Sequence, residues 1–121
     1  MPVKIKRVYE EAKKEDGLRV LVDRIWPRGV SKEDAKVDEW TKEVGPSKEL
    51  RQWFDHDPKK YDKFKEKYKE ELNSNDKQKE ALEQLKQWTK NHDKELTLVF
   101  AAKNVKHNQA AVLKEILDHQ K

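Results

Sequence analysis

Leu96 to Ala102, reading Leu-Thr-Leu-Val-Phe-Ala-Ala, is the most continuous apolar run in the chain. A run this short and this apolar has to be covered on both sides, the condition of a central strand in a layered α/β fold. Two earlier segments can lie beside it. Val3 to Tyr9 is short and rich in β-branched residues, and Leu18 to Asp23 alternates, with Leu18, Val20 and Val22 on one side and Arg19, Leu21 and Asp23 on the other. Between them, residues 10–17 are polar and end in Gly17, which predicts a turn or one short helical turn. A link of that length is shorter than the dozen or so residues a parallel crossover usually needs. The first two strands are therefore either an antiparallel hairpin or a parallel pair with an unusually short connection.

The rest reads as helix. Ser31 before Lys32-Glu33-Asp34 can cap a short helix with acids in its first turn. Ser47 can cap a second, in which Leu50, Trp53 and Phe54 recur at helical spacing. Asp57 followed by Pro58 starts a third, along which Tyr61, Phe64, Tyr68 and Leu72 form one narrow stripe. After the turn Asn73-Ser74-Asn75-Asp76, a helix over about 76–91 buries Leu82, Leu85 and Trp88 with Ala81. A last helix over about 109–119 turns Ala110, Leu113, Ile116 and Leu117 inward. The predicted fold is one domain over residues 1–121: a small α/β layer with a mostly parallel three-stranded sheet, flanking helices and a helical insert between the second and third strands.

Composition tests whether such a chain folds at all. Leu, Ile, Val and Phe number 26 of 121 residues, just above the roughly 20% below which strongly charged chains stay disordered. Although 43% of the residues are charged, 28 Lys and Arg against 24 Asp and Glu leave a net charge of only +4. Nearly every apolar residue is then needed for a core. The balance by segment is +3 over 1–29, −3 over 30–58, +2 over 59–95 and +2 over 96–121. No segment is a basic block that would bind nucleic acid through counterion release, and the stretch 59–95 reads as solvated helix faces with both signs interleaved. A nucleic-acid-binding accessory module stays as the alternative reading, prompted by the pI near 9.1 and by Arg and Trp side chains after the second strand.

Several chemistries are excluded. Without cysteine there is no thiolate metal site and no thiol nucleophile. Gly17, Gly29 and Gly45 are too scattered for a phosphate-binding glycine loop, and Ser31, Ser47 and Ser74 lack a nucleophile-elbow setting. His56 lies between Asp55 and Asp57, but adjacent residues in regular structure do not converge on one ion, and Asp57 has a capping role. No metal or other cofactor is expected. His92 and His119 fall near helix ends, where a histidine meets terminal carbonyls. No apolar run is long enough to span a membrane, and Met-Pro-Val-Lys opens without a signal-like apolar stretch, so a cytoplasmic protein is expected.

What remains is polar residues at strand carboxyl ends, where parallel sheets bind ligands. Arg7 and Tyr9 follow the first strand; Asp23, Arg24, Trp26 and Arg28 follow the second; His107 and Asn108 follow the third. If the strands are parallel, these surround one pocket suited to an anionic or phosphate-containing small molecule, because guanidinium groups bind oxyanions bidentately and keep their charge. His107 is the candidate acid or base should the pocket carry out hydrolysis or transfer. Two plainer readings stand beside these: Asp23, Arg24 and Arg28 as an ion-pair network locking the Trp26-Pro27 turn, and His107 as a capping or surface residue.

The segments Leu21-Val22-Asp23-Arg24-Ile25-Trp26-Pro27-Arg28-Gly29, Asp38-Glu39-Trp40, Pro46-Ser47-x-x-Leu50-Arg51-x-Trp53-Phe54, His56-Asp57-Pro58, Ala101-Ala102 and His107-Asn108, in this order and nearly end to end, resemble the YeaO-like branch of the domain of unknown function 488 family. The resemblance implies a cytosolic α/β domain without an established activity. Broader members carry a full helix between the first two strands, which implies the parallel arrangement here. They also carry a Cys-His-Arg segment near the last helix, whose place is taken by Lys106-His107-Asn108, so thiol chemistry does not transfer.

Overall fold

Parity along the strands decides how the layers stack. The computed structural model describes residues 3–91 and 95–119. Strands β1 (Val3–Arg7), β2 (Leu18–Leu21), β3 (Glu39–Trp40) and β4 (Leu96–Phe100) form one sheet in the order β1-β4-β2-β3. Every neighbouring pair is parallel. The hairpin alternative is excluded, because β4 lies between β1 and β2. The link between them crosses the sheet with a single turn of 3-10 helix at Lys14–Asp16. Its end needs glycine: Gly17 has φ +65°, and a Cβ there would lie 2.0 Å from the Glu95 carbonyl oxygen.

The sheet has four strands, where the sequence predicts three. The extra one, β3, is two exposed residues long, so it carries no apolar alternation to read. It is held to β2 by the Asp38 amide donating to the Arg19 carbonyl and the Thr41 amide to the Leu21 carbonyl. The Asp38 carboxylate also accepts from the Arg19 amide at 2.9 Å. Helix α1 (Lys32–Ala35) therefore connects β2 to β3. The larger helical insert, α2 (Lys48–Phe54), α3 (Tyr61–Ser74) and α4 (Asp76–Asn91), lies between β3 and β4, and α5 (Gln109–Asp118) follows β4.

One face of the sheet carries the main core. Val20, Val22, Leu96, Leu98 and Phe100 pack there with the stripe Tyr61, Phe64, Tyr68 and Leu72 of α3, Leu82 and Leu85 of α4, and Leu113 and Leu117 of α5. Rings of Phe54 and Phe64 stack at 4.3 Å, and the buried Tyr68 hydroxyl donates to the Val44 carbonyl. Opposite parity sends Leu21 and Val99 to the other face, into a smaller cluster with Val8 and Ala35. Beside it lie Asp16, Arg19 and Thr97, all buried. The apolar run of β4 is thus covered on both sides, unequally.

The caps follow from side-chain oxygens at the helix starts. Ser31 accepts from the Asp34 amide at 3.0 Å and Ser47 from the Leu50 amide at 3.1 Å. Asp57 accepts from the Lys59 amide at 3.0 Å in a 3-10 turn that leads into α3. Trp53 departs from its expected stripe: it is exposed, with the Lys60 and Lys67 ammonium groups over its ring. Trp88 is only partly buried, whereas Val112 is fully buried. His119 meets the Glu115 carbonyl at 2.7 Å; His92 lies outside the described residues. Among the described residues no helix is long and apolar enough to cross a membrane.

Candidate functional site

Strands β2 and β4 are neighbours whose outgoing connections diverge. After β2 the chain turns to α1, on the face of the small cluster, and after β4 it turns to α5, on the face of the main core. Diverging connections at the carboxyl edge of adjacent parallel strands leave a crevice. Here it has a volume of about 790 Å³ and is lined by residues 23–28, by residues 101–104 and 107–109, and by Pro46, Arg51, Phe54, His56 and Phe64.

Of the residues predicted from sequence, Asp23, Arg24, Trp26, Arg28, His107 and Asn108 line this crevice, whereas Arg7 and Tyr9 do not. Arg7 ends an edge strand, and its guanidinium reaches toward the β4 loop, donating to the Ala102 carbonyl at 2.9 Å and the Ala101 carbonyl at 3.4 Å. It also lies over the Tyr9 ring, whose hydroxyl donates to the Arg28 carbonyl at 3.3 Å. Both residues hold loops that form the site.

Asp23 ties the two walls together. Its carboxylate accepts from the Ala101 amide at 2.9 Å and from the side-chain amide of Gln109. Burial pushes the carboxyl up to about 6, against the opposing pull of those hydrogen bonds and of the Arg51 charge. The Ala101-Ala102 segment is therefore fixed from both sides, by Arg7 on its carbonyls and Asp23 on its amide. Trp26 is an anchor: its indole N–H donates to the Val30 carbonyl at 2.6 Å, and its ring meets Trp40 edge-on at 5.2 Å.

The arginines differ in what they have left to offer. Arg24 is held by structure, donating to the Gly45 carbonyl at 2.8 Å and the Pro46 carbonyl at 3.1 Å, with Glu43 at 3.8 Å. The network of Asp23, Arg24 and Arg28 considered from sequence is not formed, since Asp23 takes Ala101 and Gln109 as partners and Arg24 takes Gly45, Pro46 and Glu43. Arg28 is exposed, and its guanidinium makes no hydrogen bond to a described residue. Lys103 is likewise exposed and its ammonium unpaired among the described residues. Arg51 is the residue the sequence did not single out as a ligand contact. Its Nε is buried without a hydrogen-bond partner among the described residues. The available signal was its spacing: three positions before the buried Phe54, it falls on the inward side of α2.

The loop after β4 sets the histidine. Asn104 Oδ1 accepts from the Lys106 and His107 amides, both at 2.9 Å, which fixes its amide so that Nδ2 faces His107 Nδ1 at 3.2 Å. That ring nitrogen is then an acceptor, and the neutral imidazole carries its proton on Nε2. In that tautomer the ring presents its Nε2 N–H as a donor. Its ring packs edge-on against Tyr61 at 4.9 Å, and burial pushes the Tyr61 hydroxyl up to about 12. Asn108 is the N-cap of α5, accepting from the Ala111 amide at 2.9 Å and donating to the Asn104 carbonyl at 2.8 Å. The crevice thus combines cationic side chains, neutral donors and the N-terminal end of α5. No group of three His, Asp or Glu that could hold a metal ion occurs among the described residues.

Comparison with known proteins places this architecture in a family. The chain is 44% identical over 116 residues to the uncharacterised protein Rv3073c of Mycobacterium tuberculosis (strain ATCC 25618 / H37Rv), covering 96% of this chain and 93% of the relative. It is 41% identical over 117 residues to the uncharacterised protein YeaO of Escherichia coli (strain K12), covering 97% of each. No solved structure matches the chain. The family model described as "Inactive DUF488-N3 subclade" matches residues 2–121, and with YeaO among its relatives the chain belongs to that subclade of the domain of unknown function 488 family.

Proposed function

We propose that the crevice at the carboxyl ends of β2 and β4 binds an anionic small molecule, phosphate-containing compounds included, in the cytoplasm. The observation that carries this reading is the Arg51 guanidinium, whose Nε is buried on the crevice wall without a hydrogen-bond partner among the described residues. Arg28 and Lys103 line the same crevice, and their charged groups likewise make no hydrogen bond to a described residue. A buried guanidinium nitrogen without a protein partner is completed by a water or by a ligand, and an anion is the partner that also meets its charge. The N-terminal end of α5 adds a field of the same sign.

Binding fits these residues better than catalysis does. The lone pair a base would need on His107 is directed at Asn104, the family is described as inactive, and Lys106 stands where broader members have cysteine. Calorimetric titration with inorganic phosphate tests the reading. Arg28→Gln and Arg51→Gln should each weaken binding about tenfold, which corresponds to roughly 1.4 kcal/mol. Unchanged affinity in both variants would refute it.

A further inference from the structure

Resting on the reading of this crevice as an anion site, we infer that its ligand is an organic anion with an apolar body, held by its charged group at Arg51 and Arg28 and by its body against Ile25. Size is the first reason. A crevice of about 790 Å³ falls in the range of sites for whole organic ligands, whereas an inorganic oxyanion occupies no more than a few water volumes of roughly 30 Å³ each.

Ile25 is the second reason. At 62% it is the most exposed large hydrophobic residue described, and it lies on the crevice wall between Arg24 and Trp26. Its exposure is not the looseness of a floppy loop. Arg24 is fixed to the Gly45 and Pro46 carbonyls and Trp26 to the Val30 carbonyl, so the backbone on either side of Ile25 is anchored and presents the side chain in one place. At 62% exposure Ile25 gives little buried area to the fold; against an apolar ligand it would be removed from water at a gain proportional to the area covered.

The two parts of the surface also divide the labour. Ala101 and Ala102 leave the wall opposite Asp23 without side chains beyond a methyl group, and the Asp23 carboxylate is already occupied by Ala101 and Gln109. A ligand body can therefore lie along this wall without leaving an acceptor unsatisfied. The anionic group falls to the arginines, where charge-assisted and bidentate contacts are available.

Four probes separate the components: inorganic phosphate, acetate, 4-phenylbutyrate and the neutral 4-phenylbutyramide, each titrated into the whole protein by calorimetry. 4-Phenylbutyrate should bind at least about tenfold more tightly than acetate and than its amide. Ile25→Ser, a change at an exposed position, should weaken 4-phenylbutyrate several-fold and leave phosphate unchanged, and thermal melting would confirm that the variant is folded. If acetate or phosphate binds as tightly as 4-phenylbutyrate and Arg51→Gln still weakens them, the apolar-body inference fails while the anion reading stands. If the amide binds as well as the carboxylate, or if no anion binds at all, the anion reading fails and takes this inference with it.

Discussion

Asp16 and Asp23 stand at opposite ends of β2, each beside an arginine, and the molecule treats the two pairs differently. At the amino end, Arg19 donates to Asp16 at 2.6 Å, to the Ala35 carbonyl at 2.8 Å and to the Lys36 carbonyl at 2.9 Å. Lys6 adds a second cation at 3.1 Å, and the Thr97 hydroxyl donates to the Asp16 carbonyl at 2.6 Å. Burial alone would raise the Asp16 carboxyl, yet the Lys13 amide, Lys6 and Arg19 together hold it below the usual carboxylate range. Every strong donor there has an acceptor, and the guanidinium also closes the C-terminal carbonyls of α1.

At the carboxyl end, Asp23 takes neutral partners and Arg51 keeps a buried nitrogen unsatisfied among the described residues. Burial pushes the Asp23 carboxyl up to about 6, and its hydrogen bonds and the Arg51 charge offset this only in part. The charged cluster that serves the fold is saturated, whereas the one proposed to bind a ligand leaves cations open among the described residues.

The largest effect should come from breaking the saturated end. Asp16→Ala leaves Arg19 buried without its counter-charge and should cost about 3–5 kcal/mol, read from the urea midpoint. A loss below about 1 kcal/mol would show that the network is not structural. Asp23→Asn should act in the opposite direction. With a folded pKa raised from 3.8 to about 6, the unfolded chain releases its proton first, so stability falls as pH rises between these values and the full penalty persists above the higher one. An amide accepts from Ala101 and can donate to Gln109 after that side chain turns over, so Asp23→Asn should add about 2–3 kcal/mol near neutral pH. It should also flatten the pH dependence of the melting temperature across that window. A destabilised variant with the slope intact would mean that the carboxylate is not under strain.

Smaller effects sharpen the contrast on the cation side. Arg51→Met removes an unsatisfied donor and should change stability by no more than about 1 kcal/mol, while abolishing phosphate binding. Arg28→Gln, at an exposed side chain, should stay within about 0.5 kcal/mol of the parent protein. If either arginine proves as important to stability as Asp16, the distinction between the two ends of β2 collapses.

The elements with strong periodicity were legible from sequence. Tyr61, Phe64, Tyr68 and Leu72 repeat at three and four positions, and all four are buried. Ser31, Ser47 and Asp57 cap as their chemistry requires. The strand β3 was not legible, because two exposed residues defined by hydrogen bonds to β2 have no pattern of their own. The Asp16 and Arg19 pairing was also invisible, since it depends on a crossover that folds residues 8–17 over β4. In the site, the Asp23 to Arg28 block and His107 were legible as polar groups at strand ends. Arg7 was misplaced because strand position does not fix where a long side chain reaches, and Asn108 lines the crevice with its side chain engaged in capping α5.

On the proposed reading Arg28, Arg51 and Lys103 form one anion site, in contrast to the saturated cluster of Lys6, Asp16 and Arg19. Titrating the isotope-labelled protein with inorganic phosphate, and following backbone amides together with arginine Nε–H signals by nuclear magnetic resonance, tests it directly. Saturable shifts are expected, confined to residues 24–28 and 103–109 and to the Arg51 Nε–H. Shifts that do not saturate, or that spread along α3 and α4 while Arg51 stays unmoved, would contradict it.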